Sequence, residues 1–187
     1  MFRSLITALA VAVLCLPALA QQSDTQDKSF DVRSSIGDMH VGKDADAKKA
    51  GLPLYPGARP EADKENDPVN LGILTEAFGL QLVVAKYESE DAPARIADFY
   101  RDKLKKYGKV LECHTQKHGG DVDVHDDDKD SKGSKELKCA QSSGPVTELK
   151  VGTEDNQHVV AIEPRDSGKG ATFAIVYVHS RGKLGDI

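Results

Sequence analysis

The sequence has no tryptophan, few aromatic residues and no block of basic residues. Without tryptophan it lacks the side chain that most often stacks on sugar rings, which disfavours carbohydrate binding. Its 25 Lys and Arg residues are outnumbered by 30 Asp and Glu residues, which gives a formal net charge of −5. Because a nucleic-acid-binding protein needs clustered cations to neutralise phosphates, this balance argues against a nucleic-acid partner.

The first twenty residues have the parts of a secretory signal. A short head carrying Arg3 precedes an apolar run from Leu5 to Leu16, and small residues follow at Ala18 and Ala20. This pattern predicts removal of the leader by cleavage before Gln21. The expected location is therefore the periplasm or the outside of the cell.

Two other interpretations of the leader are less favourable. A membrane anchor needs about 20 apolar residues, and the run is shorter. A lipoprotein signal would use Cys15, but the preceding Leu14 is bulky where a small residue is needed. No later apolar run is long enough to span a bilayer, so no integral membrane segment is predicted in the mature chain, which is long enough for one domain.

Few cysteines are present, and Cys15 leaves with the leader. The two that remain, Cys113 and Cys139, predict one disulfide in an oxidising compartment. Cys113 shares a strand face with Leu111, and Cys139 shares one with Leu137, which suggests neighbouring strands. Without a Cys-x-x-Cys motif, a redox-active pair is not expected.

Residues 21–50 are predicted to form a polar, largely flexible N-terminal segment, ahead of a single domain over residues 51–187. Inside the segment, Asp44–Ala50 is either a short helix, capped by Asp44 and closed by Gly51, or a loop. The sequence does not choose between these two alternatives.

One amphipathic helix is expected in the domain. Asp91 is its predicted N-cap, Pro93 is tolerated in its first turn, and Gly108 is predicted to end it in a left-handed conformation. The apolar residues recur at intervals of three and four: Ile96, Phe99, Tyr100, Leu104 and Tyr107. A single apolar stripe of this kind is typical of a helix that lies on a sheet.

Strand patterns surround this helix. A hairpin precedes it at Asn70–Glu76 and Leu80–Glu88. The predicted strands after it are Lys109–His114, Lys135–Gln141, Thr147–Gly152, Gln157–Glu163 and Ala171–Ser180. The order β-β-α-β-β-β-β-β predicts an α+β fold, with an antiparallel sheet of about five to seven strands and the long helix packed on one face.

The stretch between the two cysteines is rich in histidine and aspartate. His114, His118 and His125, with Asp121 and Asp123, are a candidate ligand set for a divalent metal such as zinc, copper or nickel. The competing interpretation is a solvated hairpin loop, which is favoured because charge-rich stretches with Gly and Ser are usually loops. No other cofactor is predicted.

No catalytic motif is present. The sequence has no Gly-x-Ser-x-Gly, no His-Glu-x-x-His, no dinucleotide fingerprint and no complete phosphate loop, so no catalytic residue is predicted. His158 and His179 lie in predicted strands and are interpreted as sheet-end or core histidines rather than ligands.

Three short motifs carry a resemblance. They are Leu-Pro-Leu-Tyr-Pro-Gly-Ala at 52–58, Asp-Ala-Pro followed by Ile-Ala-Asp-Phe-Tyr within 91–100, and Gly-Lys-Val-Leu-Glu-Cys at 108–113. With these motifs the chain resembles a group of uncharacterised exported bacterial proteins over about residues 50–182. The resemblance implies the architecture and export, and it implies no activity, substrate or cofactor.

The leading functional hypothesis is an exported non-enzymatic domain that acts by binding or by an envelope-related interaction, with the partner left open. One alternative is a metal-binding protein or metal-dependent enzyme that uses the loop at 114–130. The other is a carrier of a small apolar ligand held between helix and sheet.

The mature protein is expected to begin at Gln21 and to have no free thiol, because the leader is removed and the two remaining cysteines are joined. Intact mass and a thiol reagent, applied to native protein recovered from the host, measure both properties. Protein that retains Met1 and has two reactive thiols would contradict the export prediction.

Overall fold

The computed structural model describes residues 29–61, 67–116 and 136–182. Within these ranges it has one α-helix and nine strands. The strands are β1 Phe30–Ser34, β2 Gly37–Gly42, β3 Arg59–Pro60, β4 Val69–Thr75, β5 Gly79–Ser89, β6 Leu111–Thr115, β7 Val146–Thr153, β8 Asn156–Pro164 and β9 Ala171–Arg181. The helix, α1, spans Pro93–Leu104 and continues into one 3₁₀ turn at Lys105–Tyr107.

All nine strands join one antiparallel sheet. Eight of them lie in the order β1-β2-β4-β5-β9-β8-β7-β6, and the short β3 pairs separately with β5. The predicted α+β class with one helix on an antiparallel sheet is confirmed. The predicted number of five to seven strands is wrong, because β1, β2 and β3 also join the sheet.

The two N-terminal strands escaped prediction because one of their faces is polar. Val32 and Met39 alternate with charged or polar residues, and they face each other across the β1–β2 pair. All five residues of β1 are exposed, so its composition resembles that of a loop. The division of the chain at residue 50 remains a prediction.

The disulfide between Cys113 and Cys139 is confirmed, with a Cα–Cα distance of 5.4 Å. The predicted strand Lys135–Gln141 is wrong, because its described part, residues 136–141, forms a single isolated bridge between Glu136 and Thr153. Cys139 lies outside the strands and is joined to β6 by the disulfide, and Ser142 beyond it forms an isolated parallel bridge with His114 of β6.

The helix forms where its apolar stripe predicts, but its ends differ from the prediction. Ala92 occupies the N-cap position without a side-chain cap. Asp91 instead accepts a hydrogen bond from the Tyr55 hydroxyl at 2.8 Å and pairs with Arg95 at 2.9 Å. Gly108, with φ 143° and ψ −159°, is not in the left-handed helical conformation.

The helix covers one face of β7 and β8. Ile96, Tyr100 and Leu104 are fully buried there, beside the inward-facing residues of the sheet. Tyr100 also lies against Phe99 and Phe173, with ring centroids 5.0 and 5.6 Å apart. The space between helix and sheet at this place is therefore filled by aromatic rings.

The segment 44–58 forms the rest of this layer. Its first part is a set of turns and not a helix, with Gly51 at φ 76°. Side chains from the sheet and helix hold its backbone: Ala47 N–H donates to the Tyr87 hydroxyl at 2.8 Å, and Tyr55 N–H donates to the Tyr100 hydroxyl at 3.1 Å. This anchorage places Asp44 beside the neighbouring strands.

His158 is part of the same anchorage. Its Nδ1 donates to the Ala50 carbonyl at 3.1 Å, and its ring stacks between those of Tyr107 and Tyr177, with centroids 3.9 and 4.7 Å away. Burial lowers the pKa of His158 and outweighs the opposing effect of the hydrogen bond to Ala50. The sequence-based interpretation of His158 as a core histidine fits this geometry.

The low pKa of His158 makes stability depend on pH. In the unfolded chain His158 takes up a proton near its ordinary pKa of 6.5, and in the folded chain it does so only at lower pH. The contribution of neutral His158 to the unfolding free energy is therefore fully present above pH 6.5 and is lost as the pH falls below it. In His158→Phe, we expect a smaller loss of unfolding free energy between pH 8 and pH 5, and a cost of about 1–3 kcal/mol at pH 8 from the unpaired carbonyl. Urea unfolding measures both; His114→Gln, at an exposed position, is the control. An unchanged pH dependence in His158→Phe would refute the assignment.

The disulfide is expected to stabilise the fold by restricting the unfolded chain. For a sequence separation of 26 residues, replacing both cysteines by alanine should lower the unfolding free energy by about 3–4 kcal/mol. Urea unfolding of the mature Cys113→Ala, Cys139→Ala double variant and of the parent measures this difference. Two proteins of equal stability would show that the bond does not constrain the unfolded state.

Candidate functional site

Three strands extend beyond the helix layer. We call β1, β2 and β4 the wing; they lie on the far side of β5 from the strands against which α1 packs. Residues paired in register across antiparallel strands point to the same side of a sheet. The register therefore shows which side chains meet on each face of the wing.

One register row crosses six strands on the face of the sheet against which α1 packs. All its members except one glycine have polar side chains. Its members come from β1, β2, β4, β5, β9 and β8 in that order: Asp31, His40, Gly72, Gln81, His179 and Asn156. A second row runs beside it over five strands: Arg33, Asp38, Leu74, Gly79 and Arg181. These two rows line most of a groove with a volume of about 490 Å³, which we call the wing groove.

Two glycines shape the floor of the wing groove. A Cβ atom on Gly79 would lie 2.9 Å from Nε of Arg181, so glycine lets the arginine side chain cross β5. Arg181 then donates from Nη2 to the Thr75 carbonyl at 3.1 Å. At Gly72 the nearest atom to an added Cβ would be Cβ of His40, 3.7 Å away, so this position is open and unstrained.

The His40 end of the wing groove is internally satisfied. Nδ1 of His40 lies 2.7 Å from an Asp31 carboxylate oxygen, and Nε2 lies 3.7 Å from Asp44. Asp44 also accepts a hydrogen bond from the Asn70 amide at 3.0 Å. The hydrogen bond from Lys49, followed by that from Asn70, lowers the pKa of Asp44 to about 2. This end holds its side chains in a fixed network.

The His179 end has unused hydrogen-bonding capacity. Nδ1 of His179 is buried and has no hydrogen-bond partner among the described residues. Gln81, the register partner of His179, is exposed, and its side chain has no partner among the described residues. Arg181 forms no ion pair with any of them. Since buried polar groups are nearly always paired, the unpaired nitrogen marks this end as the candidate site.

The predicted metal-ligand set is only partly described. His114 lies in β6 with its side chain exposed. The other four residues, His118, His125, Asp121 and Asp123, lie outside the described residues, as does the predicted leader. Over residues 29–61, 67–116 and 136–182, no three metal-ligating side chains come together. The metal site therefore stays a prediction.

The sequence identifies His179 as a sheet histidine but does not predict which residues line the same groove. His40, Gln81 and Arg181 lie far apart along the chain, and each is one polar residue in an alternating strand. The available signal was the polar face of β1 and β2, which reveals a shared surface only after strand pairing is known.

Comparisons with protein-family models, curated proteins and solved structures found no match to this chain. The resemblance to uncharacterised exported proteins therefore remains a prediction. The helix in the described ranges is too short and too polar to cross a bilayer.

Proposed function

We propose that this protein is an exported, non-enzymatic binding domain that takes a small oxyanion, such as a carboxylate, in the wing groove. The observation that carries the proposal is the buried Nδ1 of His179, which has no partner among the described residues and belongs to a side chain that lines the groove. The imidazole of His179 lines the groove, so a ligand in the groove can contact the ring.

The chemistry of the three neighbouring groups favours an anion. A guanidinium only donates hydrogen bonds, a neutral imidazole can donate one, and a primary amide can donate two. Arg181, His179 and Gln81 can therefore all donate to one group that only accepts. A carboxylate is such a group, and its pair of oxygens matches the geometry of a guanidinium.

The nearby acids do not cancel this preference. Asp31 is engaged by His40 at 2.7 Å. Asp38 lies directly opposite Arg33 in the β1–β2 register, which places opposite charges together at the other end of the groove. The cation at Arg181 thus remains available to a ligand.

The residues that line the groove support binding rather than covalent chemistry. Among the described residues that line it, none carries a hydroxyl, thiol or amine. His40, the histidine held by a carboxylate, has its second nitrogen beside Asn70 and Asp44. Export is supported by the leader pattern and by the disulfide, which is consistent with an oxidising compartment.

The proposal predicts that acetate, succinate or inorganic phosphate binds at His179. We expect saturable shifts of the His179 ring nitrogens when ¹⁵N-labelled mature protein is titrated with these anions in the millimolar range. Arg181→Met should weaken the affinity about tenfold or more, because a hydrogen bond to a charged group contributes about 1.5–3 kcal/mol. Gly72→Val, which suits a strand and partly fills the groove, should also weaken binding.

Lys109→Met is the control, since it removes a positive charge from an exposed residue that does not line the groove. It should leave the affinity within about twofold. The proposal fails if none of the three anions shifts His179 saturably, or if Lys109→Met weakens binding as much as Arg181→Met. Preserved dispersion of the amide spectrum shows that each variant is folded.

A further inference from the structure

The face of the wing opposite the groove is apolar. Three register rows carry apolar side chains across the wing and on to β5, β9 and β8. The first is Phe30, Val41, Leu71, Leu82 and Val178; the second is Val32, Met39, Ile73 and Leu80; the third is Val69, Val84, Val176 and Val159. We call the part of these rows on β1, β2, β4 and β5 the apolar wing face.

The rows change from buried to exposed towards the edge of the sheet. Val176 and Val178 on β9 are 4% and 6% exposed, whereas Val41 on β2 is 39% and Phe30 on β1 is 60% exposed. Single exposed apolar residues are common on proteins, but a contiguous exposed patch marks an interaction surface. The apolar wing face is such a patch.

The mature chain holds little that could cover this face. Residues 21–28 and 62–66 contain no large apolar side chain, and residues 117–135 and 183–187 together contain four: Val122, Val124, Leu184 and Ile187. Four such side chains are fewer than the residues of the apolar wing face, and they are divided between two segments. These segments therefore offer too few large apolar side chains to match the face, which favours a cover from another molecule.

The charges around the face do not favour an anionic bilayer. Binding to such a surface is strengthened by free Lys and Arg residues around the apolar patch. Here Lys43 is paired with Asp67, and Arg59 is paired with Glu88 at 2.5 Å. Lys43 and Arg59 are thus each neutralised by a neighbouring carboxylate.

We propose that the apolar wing face is the contact surface of a symmetric dimer, in which it packs on the same face of a second copy. Two sheet faces can pack about 10 Å apart with interdigitating side chains. In a two-fold contact the same patch must match itself, and the residues that define this face are all uncharged, so they bring no like charges together. The proposal does not rest on the anion site, because the side chains of the apolar wing face alternate along each strand with those of the two polar rows and point to the other side of the sheet.

The size of the face indicates a reversible dimer. Four strands about 4.8 Å apart and about six residues long, with a protruding phenylalanine, give on the order of 500 Å² per copy. Specific interfaces bury about 800 Å² per partner, and weak ones bury less than about 600 Å². The dimer should therefore dissociate on dilution.

Sedimentation velocity of the purified mature protein over a wide concentration range tests the proposal. We expect a monomer–dimer equilibrium that stops at two copies. Met39→Lys should raise the dissociation constant at least tenfold, because it places a charge in the interface. Phe30→Ser, which removes apolar area without adding charge, should raise it in the same direction.

Ala94→Lys is the matched control, because it adds the same charge at an exposed position of α1. It should leave the dissociation constant unchanged, and circular dichroism should show that all three variants are folded. The proposal is overturned if the parent is monomeric at every concentration, as it would be if the face served a different protein. Association that grows beyond two copies, or a dimer that both wing variants leave intact, would also overturn it.

Discussion

The antiparallel pairing of β5 with β9 is the constraint on which the rest of the structure depends. It joins eleven residue pairs, from Gly79 opposite Arg181 to Ser89 opposite Ala171, in the middle of the sheet. Side chains on one face of this pair, among them Tyr87 and Phe173, lie under the helix layer. A slip of one residue would turn every side chain of the slipped strand to the opposite face, so burial on both faces fixes the register.

The wing exists because the helix layer is smaller than the sheet. Eight strands at about 4.8 Å spacing span about 34 Å, whereas a helix of 12 residues is about 18 Å long and about 10 Å wide. The segment 44–58 extends the covering layer, held by Tyr87, Tyr100, Tyr107 and His158. Beyond it the described residues leave both faces of the wing uncovered, one polar and one apolar.

The parts of the fold that the sequence predicted are those with a strong local pattern. The stripe of α1 and the apolar strands β5 and β9 have unambiguous periods, because their burial is extensive. Strands β1 and β2 carry the same period of two, but their exposed polar residues made them resemble a loop. The alternation of Leu137 and Cys139 led to the opposite error: a strand was predicted where none forms. Alternation alone does not supply a partner strand for pairing.

The sequence by itself determined the α+β class, the helix and the pairing of Cys113 with Cys139, because each depends on local period or on a count. Only the tertiary structure decided that His179, Gln81 and Arg181 lie in adjacent register rows, since strand pairing brings residues about a hundred positions apart together. It also decided that Asp91 serves Tyr55 rather than the helix end. Whether a polar group finds a partner depends on distance in space, which the order of residues along the chain does not specify.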